Sequence, residues 1–384
     1  VTDPISAWNL MGDQLSYMKD NGFDVTIMSG SGGLLEKCAS KSGVDYKVIP
    51  IMRHPSPWKE LMALASLTKL LKEMKPDVVN VSTPKAGLLG GIAARLAGVP
   101  VRVYVLRGLR ADGSQGLKAT ALAFLEKISC GVAQRVYCVS QSLRARAIDR
   151  KLASPDKLVV LGDGSSKGID STRFCRTPAT IQAADTLATE IGLNKNALTI
   201  GFLGRVVKDK GVVELIDAFK QLENEFSDIQ LVLGGPFESI DPLPQETLSL
   251  IESSKNIFHL GMVMDTPPVL ALMDIFVLPS YREGFPNVVL EASSMELPVV
   301  ATKITGSLDA VVENETGVFV EVKESKSLYT GIKYYIENAS MRKQHGQNGR
   351  QIVIQKYQPE RIWKALHSEY KDLLKQKGYD VKEF

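Results

Sequence analysis

The 384 residues exceed what one hydrophobic core ordinarily serves, so two domains of similar size are expected; 44% hydrophobic and 23% charged residues describe an ordinary globular protein. Four cysteines, Cys38, Cys130, Cys138 and Cys175, are too few for a disulfide framework and lack metal-ligand spacing, and the most apolar stretch, residues 87–106, is broken by Arg95 and Arg102, which excludes a spanning helix there. The net charge of +3 hides an uneven split: residues 1–165 carry 22 Lys and Arg against 14 Asp and Glu, a net +8, whereas residues 166–384 carry 24 against 29, a net −5.

A basic half suits an anionic partner. No base-reading motif and no aromatic stacking platform accompanies it, so an anionic membrane surface or a lipid diphosphate is the expected partner rather than nucleic acid. Reduced thiols and the lack of a signal-peptide pattern lead to the expectation of a cytoplasmic protein. Val1 opens on what reads as a strand end, so part of the first strand is expected to precede it.

The first half alternates strands and helices. Residues 6–12 read as a loop, 12–21 as a helix, and 23–29 and 46–51 as strands. Across residues 58–75, Leu61, Leu64, Ala65, Leu67, Leu71 and Met74 recur near helical spacing; core packing on the sheet is the reading taken, over a membrane-facing role. Strand 77–81 leads into the turn Ser82-Thr83-Pro84-Lys85-Ala86-Gly87 and a helix at 88–97. Strand 101–106 leads into Arg107-Gly108-Leu109-Arg110 and a helix at 118–130; strand 136–139 leads into a basic helix at 141–151. This alternation specifies a doubly wound parallel sheet, whose ligands bind at the carboxyl edge. Residues 163–168 are polar and glycine-rich and mark the crossing between domains. Gly162-Asp163-Gly164 is no dinucleotide fingerprint, because no helix follows at once.

The second half opens with a helix at 178–193 and a strand at 198–203, after which come Gly204-Arg205 and Lys208-Asp209-Lys210-Gly211 ahead of a helix at 212–223. Two cations, small residues that permit close approach and a helix N-terminus form a diphosphate site. Arg205 forks two oxygens; Lys210 is a mobile point charge. Strand 229–233 ends at Gly234-Gly235-Pro236, and strand 257–260 at Gly261-Met262-Val263. Strand 275–278 enters the loop 279–286, with Asn287 expected to cap a helix at 288–295. Strands at 299–302 and 317–320, helices near 307–312 and at 325–338 and 341–357, and a last helix at 359–375 complete the chain. Glu283 in the loop and Glu291 in the helix are eight residues apart, and an ionised carboxylate accepts two hydroxyls of a vicinal diol, as in ribose or a pyranose. The same spacing also describes a helix start decorated with acids that complement its dipole.

The stretch Glu283-Gly284-Phe285-Pro286-Asn287-Val288-Val289-Leu290-Glu291, with Gly204-Arg205 and Asp209-Lys210-Gly211 before it, resembles the E-x7-E glycosyltransferases of family 4, which are retaining and of the GT-B fold. The loops at Ser82–Lys85 and Arg107–Arg110 are similar to those of the branch that builds bacterial capsular polysaccharide, O-antigen and lipopolysaccharide. The resemblance runs over nearly the whole chain and implies two Rossmann-like doubly wound domains facing across a cleft. These are residues 1–165, joined by the helix 359–384, on the acceptor side and residues 166–358 on the donor side. It implies that Arg205 and Lys210, with Gly204, hold the donor diphosphate. Glu283, Gly284, Phe285, Pro286 and Asn287 would hold the donor sugar, Glu291 the ribose, and Gly261, Met262 and Val263 the base. Lys85 and Arg107 would face the acceptor or the donor phosphates.

No Asp-x-Asp motif is present, so no metal or other cofactor is expected, and Arg205, Lys210 and the helix start must neutralise the leaving diphosphate. His54, His259, His345 and His367 form no cluster; the loop near Ser82–Lys85 lacks the histidine of many relatives, and the first loop, residues 6–12, lacks the paired glycines that many place against the donor phosphates. In the family resembled, the acceptor hydroxyl attacks from the face the diphosphate leaves, a phosphate oxygen takes the proton, and Glu283 positions the sugar; a double displacement would need a carboxylate beneath the anomeric carbon. The expectation is therefore hexosyl or N-acetylhexosaminyl transfer from a nucleotide sugar, a UDP-sugar, to a lipid-diphosphate-linked saccharide at the cytoplasmic face of the membrane, with closure of the two domains excluding water. A sugar-nucleotide epimerase and a non-catalytic nucleotide-sugar sensor remain as alternatives; an oxidoreductase is disfavoured by the missing dinucleotide loop.

Overall fold

The computed structural model describes residues 1–51 and 56–380, and His54 lies outside the described residues. The chain divides into two compact units, Val1–Gly168 with Pro359–Phe384, and Ile169–Gln358. Both are α/β, and every strand pairing among the described residues is parallel.

In the first unit β1 (Thr26–Ser29) pairs with β2 (Asp45–Val48), and β3 (Val78–Ser82), β4 (Val101–Leu106), β5 (Arg135–Cys138) and β6 (Leu158–Val159) form a four-stranded sheet in that order. Among the described residues the β1 pair and the larger sheet are not joined by a ladder, so the single doubly wound sheet expected of this half is divided in two. Residues 6–12 are not a loop: Pro4–Met11 is a helix whose first turn is capped by Asp3 Oδ1, which accepts from the Ser6 N–H at 2.9 Å. Proline at the first helical position, with an Asp before it, is the local reason. A second helix, Gly33–Ser42, has no counterpart in the sequence reading.

Helix Pro359–Lys375 belongs to this first unit although 190 residues separate it from the rest. Its apolar stripe, Leu366, Tyr370, Leu373 and Leu374, is buried against Val101, Val103 and Tyr137. Phe23 packs edge-on against His367 and Tyr370, and the Asn80 amide donates to the Tyr370 hydroxyl. Spacing of this kind buries one face of a helix and leaves the other in water.

The second unit is one sheet of six: β7 (Leu198–Leu203), β8 (Ile229–Gly234), β9 (Ile257–His259), β10 (Ile275–Leu278), β11 (Val299–Thr302) and β12 (Gly317–Val320). The order is β12-β11-β10-β7-β8-β9. Strands β8, β10 and β11 are buried along their whole length, as continuous apolar runs covered by helices on both faces must be. Helix Val212–Glu223 buries Val212, Leu215, Ile216, Phe219 and Leu222, the three- and four-residue spacing of a core-facing stripe. The chain leaves β7 for β8 and β9 on one side and takes up β10, β11 and β12 on the other. The strand order therefore reverses between β7 and β10, and in open sheets that reversal opens a crevice at the carboxyl ends. No helix among the described residues is long and apolar enough to cross a membrane.

Candidate active site

The loops that carry Lys210 and Glu283 meet at the crevice between β7 and β10. After β7 the chain makes one 3-10 turn, Lys208–Lys210, and then Gly211 takes a left-handed conformation (φ 71°) to start helix Val212–Glu223. A Cβ on Gly211 would lie 2.0 Å from the Pro279 carbonyl oxygen at the end of β10, so only glycine lets this loop press against its neighbour. On the other flank Gly306 (φ 84°) backs the Gly284 carbonyl, which a Cβ there would approach to 2.6 Å.

The two loops are then laced together by side chains. The Lys210 ammonium is ion-paired with Glu283 Oε1, both side chains largely buried. Arg282 forks Asp209, with Nε to Oδ1 at 3.0 Å and Nη2 to Oδ2 at 2.8 Å. The Tyr281 N–H donates to the Asp209 carbonyl at 3.0 Å, and its hydroxyl donates to both carboxylate oxygens of Glu214, 2.7 and 2.9 Å away. Burial first, and then the Glu214 carboxylate, push the Tyr281 hydroxyl far above its usual range, so it stays a donor. Asp209, Glu214, Tyr281 and Arg282 were not foreseen; the signal available was the complementary order Asp209-Lys210 and Arg282-Glu283.

Arg205 lies at the same edge and pairs with Glu238 at 2.9 Å, a second partner the sequence reading did not name. The Gly204 N–H donates to the Gly234 carbonyl at 2.9 Å, and the Gly235 N–H to the Gly261 carbonyl at 2.7 Å, so backbone bonds link the ends of β7, β8 and β9. Met262 is exposed beside Gly261, and Val263 packs near Gly234. The His259 ring bonds the Gly235 carbonyl at 2.8 Å and packs against Phe237, with centroids 4.1 Å apart and the planes tilted by 42°.

Helix Asn287–Ser294 follows the loop after β10. Asn287 does not cap it; Pro286 holds the cap position and Asn287 is the first helical residue, because a proline needs no N–H partner at a helix start. Phe285 is buried against Tyr357 with centroids 5.6 Å apart, which anchors the loop, and Glu291 is buried one turn into the helix.

In the first unit Arg107 and Ser82, at the ends of β4 and β3, are joined by a hydrogen bond from Arg107 Nε to the Ser82 hydroxyl. Burial lowers the Arg107 guanidinium to about 10, and its Nη1 is buried with no partner. The guanidinium lines a small cavity of about 30 Å³ together with Gln14, Asn80, Tyr137 and Ser165. Lys85 pairs instead with Glu60, 2.9 Å away on helix Pro57–Met74. Among the described residues no group of three or more His, Cys, Asp and Glu side chains is placed to hold a metal.

Residues 184–352 match the family model of group 1 glycosyl transferases, and residues 9–164 that of the glycosyl transferase 4-like domain. The capsular polysaccharide biosynthesis glycosyltransferase CapM of Staphylococcus aureus is 35% identical over 96% of this chain and 94% of its own length. The chain belongs to the glycosyltransferases of this family. A second relative of the transferase is the UDP-Gal:alpha-D-GlcNAc-diphosphoundecaprenol alpha-1,3-galactosyltransferase of Escherichia coli, 29% identical over 83% of this chain and 81% of that one. Among solved structures the transferase is similar to Anabaena Alr3699/HepE in complex with UDP and glucose, with a TM-score of 0.80 at 19% identity over 97% of both chains. At that identity the likeness shows the fold, two Rossmann-like domains of the GT-B type.

Proposed function

We propose that the transferase moves a hexosyl or N-acetylhexosaminyl group from a UDP-sugar to a lipid-diphosphate-linked saccharide, with retention and without a metal, at the cytoplasmic face of a membrane. The observation that carries this reading is the meeting of Lys210 and Glu283 at the point where the strand order reverses, with Arg205 at the same edge. A diphosphate entering there finds a guanidinium that forks two oxygens, an ammonium and the N-terminus of helix Val212–Glu223 behind them. The charge that develops on the diphosphate as the glycosidic bond breaks is stabilised by these fixed groups. Glu283 accepts hydroxyls of the sugar beside the diphosphate, Glu291 those of the ribose, and the backbone at Gly261–Val263 faces the base. The acceptor hydroxyl passes its proton to a leaving phosphate oxygen, and Lys85 and Arg107 are the cations for the acceptor diphosphate. The names of the two curated relatives support the surface-polysaccharide setting, and that of the second supports both the UDP-sugar and the lipid-diphosphate acceptor.

The test is a panel of nucleotide sugars incubated with a lipid-diphosphate-linked saccharide in the presence of EDTA. The expected result is an α-linked product, formed only with acceptor present and at a rate that the chelator leaves unchanged. Conversion of donor without acceptor identifies an epimerase; donor binding without turnover identifies a sensor.

A further inference from the structure

Helix Val212–Glu223 begins with acids on both sides of its cap, and neither caps it. The first turn of a helix leaves backbone N–H groups without partners, and a nearby Asp, Glu, Ser or Thr ordinarily accepts from them. Here Gly211 holds the cap position, and no described side chain caps the helix. Asp209 stands just before the cap. Glu214 is in the first turn, at the third helical position, from which the acid of a capping box reaches back.

Both acids are held instead by consecutive residues of the loop after β10. Arg282 forks Asp209 at 3.0 and 2.8 Å, and the Tyr281 hydroxyl donates to both oxygens of Glu214 at 2.7 and 2.9 Å. Two contacts to one carboxylate fix its direction as a single bond does not. The pair is itself held in place: the Tyr281 N–H donates to the Asp209 carbonyl, and the Lys323 ammonium lies 4.8 Å from the centroid of the Tyr281 ring. Asp241 comes to the same turn, where its Oδ2 accepts from the Asp209 N–H at 2.6 Å.

We propose that Tyr281 and Arg282 are positioning residues that keep the N-terminus of helix Val212–Glu223 uncapped, so that the donor diphosphate, and not an acid of the chain itself, accepts from its first-turn N–H groups. They act through Glu214 and Asp209. A carboxylate released from either would settle on the first turn, where the helix dipole and the N–H groups favour an anion. It would then oppose the phosphate oxygens by occupancy and by like charge. The proposal rests on the donor reading above and deepens it: the turn that carries Lys210 serves as an anion seat because the acids that would cap it are tied back.

The experiment is calorimetric titration of the full chain and its variants with UDP, with melting temperatures taken without nucleotide. Arg282→Gln frees Asp209, and Tyr281→Phe frees Glu214. Each should weaken UDP binding by about fivefold, the factor that an ordinary side-chain cap supplies. Removing the freed acid as well should restore binding. Asp209→Ala with Arg282→Gln, and Glu214→Ala with Tyr281→Phe, should come within about twofold of the wild type. In turnover the single variants should show a raised donor KM with kcat nearly unchanged, because donor that has bound has already displaced the acid.

The double variants lack the same contacts as the single ones, so mere damage to the loop would weaken UDP binding and lower the melting temperature in both alike. That result overturns the proposal, as do single variants that bind UDP as the wild type does. A loss in Arg282→Gln that Asp209→Ala fails to restore overturns it too, since Arg282 would then hold the diphosphate directly. In each of these cases the wild-type chain still binds UDP and the donor reading stands; a wild-type chain that does not bind UDP brings down both.

Discussion

Lys210 and Glu283 are 73 residues apart in sequence and share an ion pair in a largely buried position, so each holds the other in place before any substrate arrives. Removing one leaves the other unpaired and moves two groups with one substitution. Lys210→Ala and Glu283→Ala are each expected to lower kcat/KM by about 100-fold or more, the scale for losing one group that stabilises developing charge. The double variant should lose much less than the product of the two, because residues in direct contact are not independent. Steady-state kinetics of the three variants decide this, and strict additivity would show that the pair does not act as a unit. At this scale the sequence was readable in part. Arg205, Lys210, Glu283 and Glu291 stood out because each belongs to a local motif, whereas Glu238, Glu214 and Asp209 act through partners 33 to 73 residues away. No spacing within one segment encodes a partner of that kind.

The elements that carry these residues depend on a few backbone positions. Gly211 ends the Lys208–Lys210 turn in a left-handed conformation with the β10 end against it, so Gly211→Ala meets both backbone strain and a clash. A loss of about 1–3 kcal/mol is expected, read as a lower melting temperature, together with weaker stabilisation by UDP because Lys210 is the next residue. Strands β7, β8 and β10 were legible as apolar runs, and helix Val212–Glu223 as a glycine followed by a periodic stripe. Helix Pro4–Met11 was missed because Asp3-Pro4 is the only start signal and the helix is short. Of the stripe expected to pack on the sheet from helix Pro57–Met74, Leu67 and Leu71 are buried, whereas Leu61 is exposed. Periodicity finds the stripe that packs, but with apolar residues on two faces it does not say which face is covered.

For the molecule as a whole, stability should respond to pH through His345. It is 1% exposed, its Nδ1 shares a 2.7 Å hydrogen bond with the Tyr335 hydroxyl, and burial holds it below its usual 6.5 despite the opposing pull of Glu315. The folded protein therefore keeps the imidazole neutral where the unfolded chain would take up a proton. That contribution is fully present above about 6.5 and is lost as pH falls from there toward the lower folded value. Thermal unfolding between pH 7 and pH 5 should show a falling midpoint, and the fall should be shallower in His345→Phe; an unchanged slope would remove His345 from the account.

Two domains, parallel sheets and the loops that carry phosphate and sugar chemistry follow from the sequence alone, because chain length, apolar runs and glycine-rich turns are local properties. Which strands become neighbours is a different matter. β7 and β10 are adjacent although two other strands lie between them in sequence, and only that adjacency sets Lys210 against Glu283 and Tyr281 against Glu214. The return of helix Pro359–Lys375 to the first unit is also a tertiary outcome, since its apolar stripe needs a partner surface that its own segment does not supply. Local patterns decide what each segment can be, and the burial of its apolar face against distant segments decides where it goes.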